Sequence, residues 1–244
     1  MNNILEILEK FQIVILAVIL SVGLVIGVRI IANVLPNDGI TVTGSASRIV
    51  QSDNGTLEFN IITKQKTRKV AYDVVQKQLP IVKDYLLKKG FTEKDIEVKP
   101  TNGYFTYKTL PNGNSSNETD YYNLYQPIQV KSKDVEKIKN LSLDITGLVN
   151  KGIDIETHSP EYFYSKLSDL KVDLLHEATT DAKQRASAML KATHNRTGKI
   201  QSVRMGVFQI TSADSTNVTD SGIYDTESVE KKVTAVANVV FKIK

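Results

Sequence analysis

The chain has 244 residues, 41% of them apolar and 24% charged, with 31 Lys and Arg against 27 Asp and Glu and no cysteine. That composition is globular, neither disordered nor collagen-like, and the lack of cysteine excludes disulfides, thiolate metal sites, a cysteine nucleophile and a bacterial lipoprotein anchor. A formal charge of +4, with bases interleaved among acids along the chain, predicts neither a nucleic-acid groove nor a strongly basic membrane-binding face.

Phe11 to Val28 contains no charge, and apolar residues resume at Ile30 and run to Leu35 after Arg29. At ~1.5 Å rise per residue the uncharged run covers roughly 27 Å, near the thickness of a bilayer's hydrocarbon core, and Arg29 can snorkel to the headgroups. A buried core helix would show a polar face, and Ile13 to Leu20 has none. A cleaved signal peptide would end in a small-x-small site, which Ile31-Ala32-Asn33-Val34 matches poorly. The sequence therefore predicts an uncleaved anchor over about residues 11–35 embedded in a lipid bilayer, and a single globular domain over 36–244. Glu6, Glu9 and Lys10 before the span and Arg29 after it set no orientation by charge. The sequons at Asn54, Asn117 and Asn217 follow from abundant Asn.

After Pro36, Ile40 to Val50 and Thr56 to Thr63 read as two strands, with Ser52-Asp53-Asn54-Gly55 as a hairpin turn using the positive φ of Asn-Gly. Ala71, Val75, Leu79, Val82 and Leu86 line one helical face, with Pro80 as a kink and Gly90 as the cap. Ile96 to Leu110 and Tyr121 to Ser132 are strand-like, separated by a polar tip at Pro111 to Asn117. Ser132 is placed to cap a second helix with Val135, Ile138, Leu141, Ile145 and Leu148 inward, which Gly152 ends before a strand over Ile155 to Tyr164.

The longest helix spans about Ser165 to Ala192, with Leu167, Leu170, Leu174, Ala178 and Ala182 at spacings of three and four. A strand over Ile200 to Ser212, a polar loop over Ala213 to Ser228 and a closing strand follow, the last with Val233, Ala235, Ala237, Val239, Phe241 and Ile243 on one face. These elements predict an α+β fold: largely antiparallel strands with three main helices packed on them, preceded by one transmembrane helix.

Chemistry is sparse. His176-Glu177 opens like a zincin helix, but Thr180 stands where the second imidazole belongs, and the only other histidines are His158 and His194. No nucleophile elbow, P-loop or dinucleotide fingerprint occurs. The sequence thus nominates no catalytic residue, no metal site and no cofactor, and no nucleic-acid partner. What departs from background is aromatic clustering, at Tyr104, Phe105 and Tyr107, at Tyr121, Tyr122 and Tyr125, and at Tyr162, Phe163 and Tyr164. Tyr104, Tyr107, Tyr121, Tyr122, Tyr125, Tyr162 and Tyr164 are the candidate interaction residues: cross-strand packing within a sheet, a contact between copies in a homo-oligomer, or a ligand face.

The order of these pieces resembles the SIMPL domain family. Ile40-Thr41-Val42-Thr43-Gly44-Ser45-Ala46 is similar to its opening strand, and Leu86 to Phe91 followed by Asp95-Ile96 to its Leu-x-x-x-Gly-Phe pattern. Tyr122 to Val130, Lys133-Asp134 and Gly152 resemble its middle section. Glu177-Ala178, Ala182, Arg185-Ala186 and Ala188 are similar to its alanine-rich helix, and Val233 to Phe241 to its closing strand. Departures are Ser52-Asp53 where Pro-Asp is common, His194-Asn195 where Leu-Gly often ends the long helix, and no Pro-Gly before the last strand. The resemblance implies a protein of the bacterial cell envelope with no established catalytic residues, amino terminus inside and domain outside the cytoplasmic membrane. It names no small-molecule ligand.

Overall fold

The computed structural model describes residues 2–34 and 39–244. Helix α1 (Asn2–Val34) carries the apolar run, and its segment Val14–Ile31 is long and apolar enough to cross a membrane, with none of it buried against protein. The expected boundary between anchor and domain, at residues 35 and 36, lies outside the described residues. The chain forms two compact units, one of residues Met1–Ser45, Ala178–Met205 and Ala237–Lys244, the other of Ala46–Glu177 and Gly206–Val236.

The larger unit is built on a six-stranded sheet. Its order is β3 (Ile96–Val98), β5 (Ser115–Ser132), β2 (Asn54–Gln65) and β6 (Asp154–Thr157), with β4 (Asn102–Thr109) also on β5 and β7 (Glu161–Phe163) also on β2. The antiparallel register sets Leu57 opposite Val130 and Phe59 opposite Ile128, and period two turns these residues to one face. That face is covered by α2 (Arg68–Lys88), which buries Ala71, Val75, Val82 and Leu86, and by α3 (Val135–Asp144), which buries Val135, Ile138 and Leu141. The alternate residues, Thr56, Glu58, Asn60 and Ile62, are half-buried on the helix-free face.

Local chemistry fixes the helix ends. The Thr67 hydroxyl accepts the Val70 N–H, α2 runs on through Pro80, and Gly90 follows it at φ +85°. Asp134, rather than Ser132, caps α3: its carboxylate accepts the Lys137 N–H at 3.1 Å, while the Ser132 hydroxyl accepts the Asp134 N–H at 3.0 Å. Asp134 directly precedes the first helical residue, where a cap must stand. A 3-10 turn, Ile145–Lys151, extends the helix and ends at Gly152 with φ +74°.

The expected opening hairpin does not form. β1 (Gly39–Gln51) and β2 lie in different sheets, Gly55 sits inside β2 opposite Ser132 and Tyr162, and neither Asn54 nor Gly55 has positive φ. Distant partners hold the link instead. The Ser52 N–H donates to the Val229 carbonyl, and the Asp53 carboxylate accepts the Ser165 N–H at 2.8 Å and the Ser165 hydroxyl.

The predicted strand over 155–164 is two strands, β6 and β7, and that over 200–212 is broken into β8 (Thr197–Met205) and β9 (Gln209–Ser212). Within the expected polar loop, β10 (Ile223–Tyr224) pairs in parallel with β9; β11 (Glu230–Ile243) closes the chain antiparallel to both β8 and β9. The long helix is α4 (Leu167–Lys191).

In the smaller unit, the end of β11 pairs with β8, setting Val239 opposite Val203 and Phe241 opposite Ile200. Val42, Gly44, Ala178, Ala182, Ala186, Leu190, Ala237, Val239 and Phe241 are buried in it. The Ser45 N–H donates to the Asp181 carboxylate at 2.8 Å, holding β1 to α4. The fold is α+β: among the described residues, four helices and eleven strands in sheets dominated by antiparallel pairs.

Candidate interaction face

Two of the three aromatic groups meet. The β4–β5 register sets Phe105 opposite Tyr122, Tyr104 opposite Asn123 and Thr106 opposite Tyr121, so period two divides the rings between the two faces. On the helix-covered face the Phe105 and Tyr122 ring centroids stand 4.7 Å apart, the Arg68 guanidinium lies 5.2 Å from the Tyr122 ring, and Tyr122 is buried with Ala71, Val75 and Leu124. Gly103 makes room: a Cβ there would stand 2.5 Å from the Asn123 carbonyl oxygen and 2.7 Å from the Tyr122 hydroxyl. Chain order alone does not show that requirement.

On the helix-free face Tyr104 stacks on Tyr125 with centroids 6.2 Å apart and planes at 18°. The Tyr125 hydroxyl is held above the usual phenol range, first by its hydrogen bond with Tyr104 and then by burial. The Lys64 and Lys66 ammonium groups stand 4.3 and 3.8 Å from the Tyr121 ring centroid. Tyr104 is 55% exposed, Tyr107 51% and Phe105 36%.

The third group lies elsewhere. Tyr162 pairs with Gly55, at the opposite end of β2 from Gln65, the partner of Tyr122. Ten residues of strand, about 33 Å, separate those positions. Tyr162 is buried in the core of the sheet, and burial, with Glu136 nearby, pushes its hydroxyl up. Phe163 and Tyr164 are half-buried. Of the three groups, those on the β4–β5 hairpin are therefore the ones that reach the surface. Among the described residues β4 hydrogen-bonds only to β5, so its outer edge carries unpaired backbone beside Tyr104, Phe105 and Tyr107.

The same helix-free face holds a shallow cavity of about 330 Å³ lined by Thr56, Glu58, His158, Ser159 and Glu161. The Lys99 ammonium pairs with Glu58, and the Asn60 amide lies 3.4 Å from His158 Nε2. Among the described residues no group of three or more His, Cys, Asp or Glu is placed to hold a metal ion.

A family model described as SIMPL, protein of unknown function (DUF541), matches residues 40–241. No curated protein matches the chain. The matched span begins in β1, includes the aromatic hairpin and the alanine-rich half of α4, and ends at Phe241 near the end of β11, so the likeness covers the described fold after α1 except Gly39 and residues 242–244. The chain belongs to the SIMPL family.

Proposed function

We propose that this chain is a non-enzymatic, single-pass protein of the bacterial cell envelope, anchored by α1 with its amino terminus inside and its SIMPL domain outside the cytoplasmic membrane, and that it self-associates through the β4–β5 hairpin in keeping the envelope intact under stress. The free, aromatic edge of β4 is the observation that carries self-association: an exposed eight-residue edge strand is a ready template for pairing with another copy. Confinement to one membrane raises the local concentration of copies and favours that pairing. The envelope location rests on α1 together with the family, and the stress role on analogy alone.

The chain has no cysteine, so single reporters are clean. Asn117→Cys, at the exposed start of β5, labels equally in intact cells and in lysed membranes with a membrane-impermeant maleimide if the domain is outside; labelling only after lysis reverses the topology. The second reading is a monomeric receptor for a glycan or an extended peptide, favoured by the Tyr104–Tyr125 stack and by the same free edge, which suits strand addition. Ligand-dependent quenching of tyrosine fluorescence, readable because the chain has no Trp, separates it from the first.

A further inference from the structure

The fold gathers bases that chain order disperses. Outside α1 the smaller unit draws on three described stretches, residues 39–45, 178–205 and 237–244, and these contain eight Lys or Arg and one acid, Asp181. Asp181 is already engaged by the Ser45 N–H and by Arg185 at 2.8 Å, which in that order hold its carboxyl below the usual range. Interleaving along the chain pointed away from a strongly basic face, but the fold brings these bases into one unit.

The bases concentrate at the end where β1 begins. A Cβ on Gly39 would lie 3.1 Å from Val240 Cγ1 and 3.4 Å from the Phe241 carbonyl oxygen, so β1 enters beside the end of β11. Lys242 and Lys244 follow Phe241, and Arg196 exchanges backbone hydrogen bonds of 2.7 and 2.8 Å with Lys244. Helix α4 runs antiparallel to β1: Ser45 meets Asp181, whereas Arg48 pairs with Glu177 and, at 3.6 Å, with Asp173. Its carboxyl end, with Lys191, therefore points to the Gly39 end as well. There Lys183, Lys191 and Arg196 line a cavity of about 450 Å³ with Ser187, Asn195 and Thr197. Among the described residues Lys183, Lys191, Arg196, Lys199 and Lys242 make no ion pair.

Val34, the last residue of α1, and Gly39 are joined by five residue steps, at most about 18 Å of chain. If α1 spans the bilayer, the basic end of this unit is held within reach of the headgroups. We infer that this end is a docking surface for anionic phospholipid headgroups of the membrane that holds α1, and that it seats the unit against that membrane. A phosphate in the Lys183–Lys191–Arg196 cavity meets three cations, beside a Ser187 hydroxyl that donates to the Lys183 carbonyl and stands 2.9 Å from the Thr197 hydroxyl. This rests on the anchoring reading above.

The test uses the full chain in nanodiscs of phosphatidylcholine alone and of phosphatidylcholine with about one-third phosphatidylglycerol, and measures the acetylation rate of individual lysines by mass spectrometry. The expected result is a roughly three- to tenfold slowing at Lys191, Lys199 and Lys242 on the anionic discs, abolished by high salt, with Lys88 and Lys133 of the larger unit unchanged. Protein that stays with the discs but labels alike on both overturns the proposal and leaves the anchor standing. Protection by inorganic phosphate on the zwitterionic discs, without protection on anionic ones, overturns it in favour of a soluble anion. Protein that does not stay with either disc overturns the anchoring reading and this inference with it.

Discussion

The backbone of Gly44 lies against Ala182: a Cβ on Gly44 would stand 2.7 Å from the Ala182 Cβ, 2.4 Å from the Ala182 nitrogen and 2.1 Å from the Ala178 carbonyl oxygen. One pairing thus joins two stretches that the sequence shows apart, the glycine of the opening strand and the small-residue face of α4. Only glycine on one side and alanine on the other allow strand and helix so close. Gly44→Ala should cost roughly 2–4 kcal/mol, because its first obstacle is helix backbone that no rotamer change relieves. Gly147→Ala, with nothing within 4 Å, should fall within about 0.5 kcal/mol. Denaturant unfolding of the two variants measures the difference.

The tyrosines separate into core and surface. Tyr122 and Tyr162 are each 4% exposed, so Tyr122→Ser and Tyr162→Ser should each lose about 2–4 kcal/mol and say nothing about assembly. Tyr107→Ser should change stability by less than about 0.5 kcal/mol, and Tyr104→Ser, which loses the stack on Tyr125, should cost up to about 1.5 kcal/mol. Urea midpoints of the four variants, at one protein concentration, check this division.

Much of this division was hidden in the sequence for a definable reason. The buried faces of α2, α3 and β11 were legible because periodicity is local: Val82 and Leu86, or Val239 and Phe241, declare their face by spacing alone. Which tyrosines share a face depends on register. A shift of one residue between β4 and β5 would exchange Tyr104 for Phe105 on the exposed side. The Asn-Gly pair at Asn54 pointed to a hairpin because local turn propensity favoured it, yet the eleven-residue pairing of β2 with β5 prevails. The basic end of the smaller unit was illegible for a similar reason, since Arg196 and Lys244 come together only where the pairing of β8 with β11 ends.

Asp53 makes stability depend on acid. Burial works to raise its carboxyl, but hydrogen bonds from the Ser165 hydroxyl and N–H and from the Asn54 amide outweigh that, and the net shift is downward. A depressed carboxyl contributes stability that is fully present above its unfolded value, about 3.9, and is lost as pH falls through the lower folded value. Asp53→Ala should cost about 1–3 kcal/mol at neutral pH and should flatten the loss of stability below about pH 4. Unfolding free energies measured from pH 7 to pH 2 read both effects.

His194 adopts φ +59°, the left-handed conformation that ends α4, where its N–H donates to the Lys191 carbonyl at 3.2 Å and the Asn195 N–H to the Leu190 carbonyl at 3.0 Å. A histidine stands where glycine fits without strain. His194→Gly should raise stability by up to about 1 kcal/mol, and thermal unfolding should show the rise.

Self-association through the edge of β4 is tested most directly by the mass of the full-length protein in mild detergent, measured by light scattering with the detergent contribution removed. The wild type should be a discrete multiple of the 27.1 kDa chain, and the Tyr104→Ser/Tyr107→Ser variant should fall toward a single chain while remaining folded. A 27.1 kDa monomer for the wild type, or an assembly of unchanged mass in the variant, would contradict it.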